Sequence, residues 1–199
     1  MTFADYMLGL KLPTDPRWVN IAEQSIADIL IDHAFCEQKA ASSGISLIVH
    51  YPDKEELVKQ LTPIIAEEWG HFRKVLKELD KRGHKFGKAR KDQYVNELRK
   101  FTIKTDNRDK KLVEELLVFA MIEARSCERF RLLSLHISDE SLRTFYHEFM
   151  VSEAGHYRVF IDLAYLYAEA DYVKNRWQAI LTGEAAIMKN MELRGDRVH

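Results

Sequence analysis

The chain has 199 residues, 46% hydrophobic and 31% charged, a composition that excludes a disordered or membrane-embedded protein. With 30 Lys/Arg against 31 Asp/Glu the net charge is −1, so any nucleic-acid role must come from uneven charge. Two cysteines, Cys36 and Cys127, form neither a disulfide framework nor a zinc motif, and 8 Gly with 4 Pro speak against a turn-rich β fold. The start of the chain lacks a basic, apolar leader pattern, and no window holds 18 uninterrupted apolar residues. A soluble protein of a reducing cytoplasm is expected, as one domain over residues 1–199.

An irregular lead-in through Pro16 precedes a first helix expected over Trp18–Val49. Asp53, with Glu56 three residues on, reads as the capping box of a second helix that runs to about Arg82. Pro63 inside it predicts a kink or break near Thr62. A basic stretch follows to Lys111, with a short helical piece at Gln93–Lys100. A third helix is expected over Arg108–His136. A fourth, capped by Ser138 or Asp139, should reach about Ala168, and a fifth Ala170–Lys189, before a frayed polar tail. Strand-like alternation is weak throughout, so the fold class is all-α.

The apolar positions step by three and four, as along the seam of nearly antiparallel packed helices. Each stripe is interrupted near its middle by charge: His33 and Glu37 on the first helix, Glu68 and His71 on the second, Glu123 on the third, Glu153 and His156 on the fourth. The chain also repeats itself. Glu68 and His71 recur 85 residues on as Glu153 and His156, and Glu37 recurs 86 residues on as Glu123. Two related helix pairs are therefore expected.

Glu-x-x-His on a helix leaves its two side chains about 60° apart and one turn along the axis, so both can reach one ion. Two such motifs plus one Glu from each remaining helix make the carboxylate di-metal arrangement of four-helix bundles. The expected ligands are Glu37, Glu68, His71, Glu123, Glu153 and His156. Oxygen and imidazole donors without thiolate suit iron or manganese. Four buried glutamates would repel one another without cations. Glu128 lies near Glu123 but is off the stripe and breaks the repeat. Around the site, His33, Cys127 and Tyr146 are candidates to line it or to orient its ligands, with a plain core role the alternative for each. Glu67 reads as a solvated or supporting carboxylate.

Charge is concentrated in Lys81–Lys111, which holds 12 Lys/Arg against 4 Asp/Glu, a net of +8, leaving −9 on the remainder. Phe86, Tyr94 and Phe101 lie within it, placed either to stack on bases or to pin the segment. An anionic polymer is the partner this pattern suits. The best phosphate-contact candidates are Lys85, Lys88, Arg90, Lys91, Arg99 and Lys100.

Four segments carry a resemblance: Leu30-Ile31-Asp32-His33-Ala34-Phe35-Cys36-Glu37, Glu67-Glu68-Trp69-Gly70-His71-Phe72, Tyr94-Val95-Asn96-Glu97-Leu98, and Ile122-Glu123-Ala124-Arg125-Ser126-Cys127-Glu128-Arg129-Phe130. Together the chain resembles the tRNA 2-methylthio-isopentenyladenosine hydroxylases over nearly its whole length. The resemblance implies a ferritin-like four-helix bundle of two repeated helix pairs, an extra C-terminal helix, and the basic insertion between the second and third helices. It implies two non-haem iron ions, dioxygen as co-substrate, a tRNA anticodon arm as partner and hydroxylation of the isopentenyl group beside the anticodon. No flavin- or nucleotide-binding glycine motif is seen, so an external reductase system is expected as electron donor. The wider di-iron superfamily often has Asp before the Glu of Glu-x-x-His; here Glu67 and Ser152 stand there. Iron oxidation and storage, a rubrerythrin-like peroxidase, a radical-generating reductase subunit or an RNA-binding bundle without chemistry are the competing readings.

Overall fold

The structure is a computed structural model that describes residues 8–88 and 92–198. Among these the regular elements are helical: α1 (Arg17–Glu23), α2 (Ile26–His50), α3 (Glu55–Lys81), α4 (Gln93–Leu98) with a 3-10 turn at Arg99–Phe101, α5 (Arg108–His136), α6 (Glu140–Tyr167) and α7 (Ala170–Asn190). The chain falls into two compact units. Of the described residues, one holds 20–88 and 194–198, the other 8–19 and 92–193. The limit lies within α1.

The first unit is built on the hairpin α2–α3, whose short link makes the helices neighbours in opposite directions. Its apolar seam buries Leu30 and Leu47 of α2 with Leu57, Leu61 and Val75 of α3. Gly44 lets the helices close: a Cβ there would lie 2.7 Å from Ile65 Cγ1. The second unit is built on the hairpin α5–α6, with Leu112, Leu116, Phe130, Leu142, Phe149 and Leu163 buried. In the same unit α7 packs on α5, and α4 on α7.

Four expectations need correction. The first helix is two helices, α1 and α2. At their junction Gln24 and Ser25 N–H groups bond back three residues, to Ile21 and Ala22 carbonyls, which tightens and ends the turn. Asp53 is not the N-cap of the second helix. Lys54 occupies the N-cap without a side-chain bond, and Glu56 instead accepts from Gln60 Nε2 at 2.7 Å. No break occurs at Pro63, for α3 is one helix across it. Thr62 and Pro63 are exposed, so the carbonyl that loses its donor is on the water side, while Leu61, Ile64 and Glu68 hold the buried side. Finally, the C-terminal tail is docked. Arg197 Nη1 and the Val198 N–H donate to Asp32 Oδ1 and Oδ2 at 2.7 and 2.8 Å, and Val198 is fully buried.

The other helix limits agree with the sequence pattern. Asp139 caps α6 by accepting from the Leu142 N–H, as Asn107 and Asp92 cap α5 and α4.

Candidate metal centre

Each hairpin carries its own set of donors. On α2 and α3, ligand atoms of Glu37, Glu68 and His71 lie within 4.8 Å of one another. His71 turns Nδ1 toward Glu37 Oε2 (3.3 Å) and Glu68 Oε2 (3.9 Å), and Nε2 toward Glu67 Oε1 (3.8 Å). On α5 and α6, ligand atoms of Glu123, Glu153 and His156 likewise lie within 4.8 Å of one another. His156 Nδ1 faces Glu123 Oε2 at 3.9 Å, and Nε2 is 3.4 Å from Ser152 Oγ. The two hairpins therefore repeat one geometry. The outer nitrogen of each ring meets the residue four positions back, Glu67 or Ser152. The place that often carries Asp is filled by side chains that still reach the ring.

The donor chemistry fits a cation. Glu37, Glu68, Glu123 and Glu153 are each 5% exposed or less. Burying a carboxylate costs several kcal/mol unless opposite charge or donors compensate. Glu37 Oε2 makes no hydrogen bond among the described residues. Carboxylate oxygens and imidazole nitrogens without thiolate are the donor set of iron and manganese sites.

His33 lies one turn before Glu37, and its Nε2 is 2.7 Å from Glu37 Oε1. Burial, and next the His71 ring, push its pKa down to about 3. The contact is thus a hydrogen bond from a neutral ring, which orients the carboxylate. Counting 86 residues on, this position is Phe119, which packs on Phe160, so the repeat is not symmetric here. Cys127 is buried one turn after Glu123 and donates to the Met150 carbonyl at 3.3 Å. Burial, then Glu153 and Glu123, push its thiol up to about 12, so it is a neutral wall residue. Tyr146 is fully buried, stacked on Phe130 at 5.5 Å and edge-on to Phe145, as a core aromatic would be.

Sequence reasoning passed over a second buried charge cluster, in the unit built on α5–α6. Arg125, fully buried, donates from Nε to Glu184 Oε1 (2.8 Å), from Nη1 to Glu128 Oε2 (2.5 Å) and from Nη2 to the Leu12 carbonyl (2.9 Å). Thr14 closes the group by donating its N–H and hydroxyl to the two oxygens of Glu128. Tyr94 of α4 donates to Glu184 at 3.3 Å, and Arg129 lies over the Trp18 ring at 4.7 Å. Burial lowers the Arg125 pKa, but Glu184 and Glu128 outweigh it and hold the guanidinium charged. Glu128 is therefore a structural partner. The only sequence signal was the i, i+3, i+4 spacing of Arg125, Glu128 and Arg129 on the face opposite Glu123.

The basic stretch is divided between the units. Lys85 and Lys88 are exposed in the unit of α2–α3, whereas Arg99 and Lys100 lie in the other. There Arg99 pairs with Glu115 (3.0 Å) and Lys100 with Glu97 (2.6 Å). Arg90 and Lys91 lie outside the described residues. The aromatic residues pin the stretch to its two units. Phe86 stacks on Phe35 at 4.1 Å, Tyr94 is buried against Glu184, and Phe101 covers Gly183, where a Cβ would meet its ring at 2.5 Å.

Helical hairpins that bury paired Glu and Glu-x-x-His donors have the donor pattern of helical, carboxylate-rich metal proteins. The chain belongs to the tRNA-(MS2IO6A)-hydroxylase (MiaE) family, whose sequence model matches residues 3–199. It is similar to a tRNA 2-(methylsulfanyl)-N(6)-isopentenyladenosine(37) hydroxylase of Pseudomonas putida, 39% identical over 83% of this chain and 80% of that one. The enzyme of the same name from Salmonella typhimurium is 28% identical over 78% of this chain and 74% of that one. Among solved structures, a Synechococcus protein with aldehyde deformylating oxygenase activity superposes with a TM-score of 0.89, at 30% identity over 96% of this chain and 94% of that one. That likeness carries the ferritin-like fold class. No helix of the described residues is long and apolar enough to cross a membrane.

Proposed function

We propose that this chain is a dioxygen-dependent tRNA hydroxylase that acts on the isopentenyl group of 2-methylthio-isopentenyladenosine beside the anticodon. It works as one domain over residues 1–199, with Glu37, Glu68, His71, Glu123, Glu153 and His156 together holding two iron ions. Membership of the hydroxylase family over residues 3–199 carries this reading, and the two matching donor sets support it. When bound, the irons supply reductive activation of dioxygen: one oxygen atom enters a C–H bond of the substrate, and the other leaves as water with two electrons and two protons from a separate reductase.

The chain's own residues do the rest. Carboxylates would balance the metal charge, and the two imidazoles would add nitrogen donors, with Ser152 Oγ 3.4 Å from the outer nitrogen of His156 and Glu67 3.8 Å from that of His71. His33 holds one oxygen of Glu37, leaving the other for the metal. Leu30 and Ala34 of α2, Ala124 of α5 and Phe149 of α6 are buried apolar residues within two turns of the donors on their own helices, which favours a dry site. Lys85, Lys88, Arg90, Lys91, Arg99 and Lys100 bind tRNA phosphates. The protein acts in the cytoplasm, where its tRNA substrate is.

The deciding experiment incubates iron-loaded protein, a reductase system and dioxygen with tRNA carrying the modified base, and analyses the nucleosides by mass. Gain of one oxygen atom on the isopentenyl group is expected, with close to two irons per chain. Iron uptake without that product would overturn the substrate and favour iron oxidation. Reversing charge at Lys88, Arg90 and Lys91 should weaken tRNA binding and flatten its salt dependence while iron content is unchanged.

A further inference from the structure

The outer face of α3 is not used by the metal donors, which point inward from the same helix. Trp69 lies between Glu68 and His71 in sequence but on the opposite side, and it is 48% exposed. Its ring tilts on Phe72 (4.9 Å), Phe72 is edge-on to Phe86 (5.4 Å), and Phe86 stacks on Phe35 (4.1 Å). This row of rings holds the indole in place while leaving a broad π surface in water. Beside it Gly70 is open, since a Cβ there would meet nothing within 4 Å.

From Trp69 the exposed face continues through Arg73 and Lys77, at i+4 and i+8, so they stand about 6 and 12 Å along the axis and about 40° and 80° around it, on an exposed stripe that winds slowly around the helix. Residues 73–88 hold seven Lys/Arg against Glu78 and Asp80. Glu78 is turned to Arg82 (2.6 Å) and Lys81 (3.5 Å). The result is an anchored, half-exposed indole at the head of a cationic stripe. A ligand that fits presents a π face and closely following negative charges, as unpaired nucleotides do. An acidic protein would meet the cations but would leave the flat indole to find an apolar counterpart.

We propose that Trp69, Arg73 and Lys77 form a contact surface for single-stranded RNA, with Trp69 stacking on an unpaired base of the anticodon loop and the two cations on adjoining phosphates. The inference rests on the tRNA reading above and adds a site to it on α3, outside the basic stretch singled out in the sequence.

The test titrates iron-loaded full chain with an anticodon stem-loop RNA and follows tryptophan emission. Trp18 is buried and Trp177 half-buried, so Trp69 is the exposed reporter. RNA should quench the emission of the parent. Trp69→Phe should bind within a few-fold of the parent without that quenching. Trp69→Ala should bind about 5- to 100-fold more weakly. Arg73→Gln with Lys77→Gln should weaken binding and reduce the salt slope by about one to two. Iron content and helicity should match the parent in all three. Unchanged affinity in Trp69→Ala with quenching retained in Trp69→Phe overturns the surface, even if the parent hydroxylates tRNA. Unchanged RNA binding with loss only of reductase-driven turnover assigns the stripe to a protein partner and overturns it too. Quenching that depends on Trp69 in a parent that binds RNA but forms no hydroxylated product supports the surface and sinks the enzyme reading alone. A parent that binds no RNA sinks both.

Discussion

On one face of α5, Glu123 is buried beside Glu153 and His156 of α6. On the other, two residues along and about 200° around the helix, Arg125 is buried among Glu128, Glu184 and Thr14. Both faces take ionisable groups out of water, a step that costs several kcal/mol per ion unless compensated. On the Arg125 face compensation is internal. Two guanidinium groups, Arg125 and Arg129, sit with two carboxylates, and the fork of Arg125 reaches Glu184, Glu128, Thr14 and the Leu12 carbonyl. On the Glu123 face the donors are two carboxylates and a ring whose Nδ1 also points at a carboxylate. The first arrangement is balanced by counter-charges within the protein, although Glu184 Oε2 makes no hydrogen bond among the described residues, and it holds the lead-in, α4 and α7 to α5. The second gathers carboxylates and an imidazole that could hold a cation, which is why the proposed metal site is placed there.

The largest effect that separates them is on metal. Glu153→Ala should lose iron and at least about 100-fold in hydroxylation, with helicity kept; elemental analysis and product assay read this. Full iron occupancy and turnover in that variant would break the contrast. Next, Glu184→Gln removes one of the two carboxylates that pair with buried Arg125, with Glu128 remaining. It should cost about 1.5–3 kcal/mol in denaturant unfolding, while folded protein keeps its iron. A stability loss of that size in Glu153→Gln but not in Glu184→Gln would reverse the two assignments.

A smaller effect sharpens the comparison in metal-free protein. Glu153→Gln removes one of the crowded carboxylates and should be neutral to about 1 kcal/mol stabilising, raising Tm by up to about 2–4 °C. Glu184→Gln should lower Tm whether or not metal is present.

The smallest effect concerns Cys127. Its pKa is about 12 in the fold against a model-compound value of 9.0, because burial and Glu153 disfavour the thiolate. The unfolded chain therefore releases this proton first, and the contribution to stability declines as pH rises above about 9. At pH 8, a thiol reagent should label half-buried Cys36 quickly and Cys127 only on unfolding. Equal, rapid labelling would mean that the wall beside Glu123 is open.

Local pattern was enough for much of this. Helical periodicity, the Asp139 cap and the spacing of Glu-x-x-His all act within a turn or two, so the sequence alone placed α5, α6 and α7 and put Glu68 with His71 and Glu153 with His156 on shared faces. The internal repeat, offset there by 86 residues, extended that to Glu37 and Glu123. Partners that are distant in sequence were decided only by the tertiary structure. Arg125 meets Glu184 across 59 residues, and Arg197 meets Asp32 across 165, which turns a tail that reads as frayed into a docked segment. The same holds for Pro63, harmless because its side of α3 faces water, and for Trp69, exposed although its ring is backed by Phe72. Periodicity fixes which residues share a face of a helix. What lies opposite that face, a counter-charge, a ring or solvent, depends on segments far along the chain.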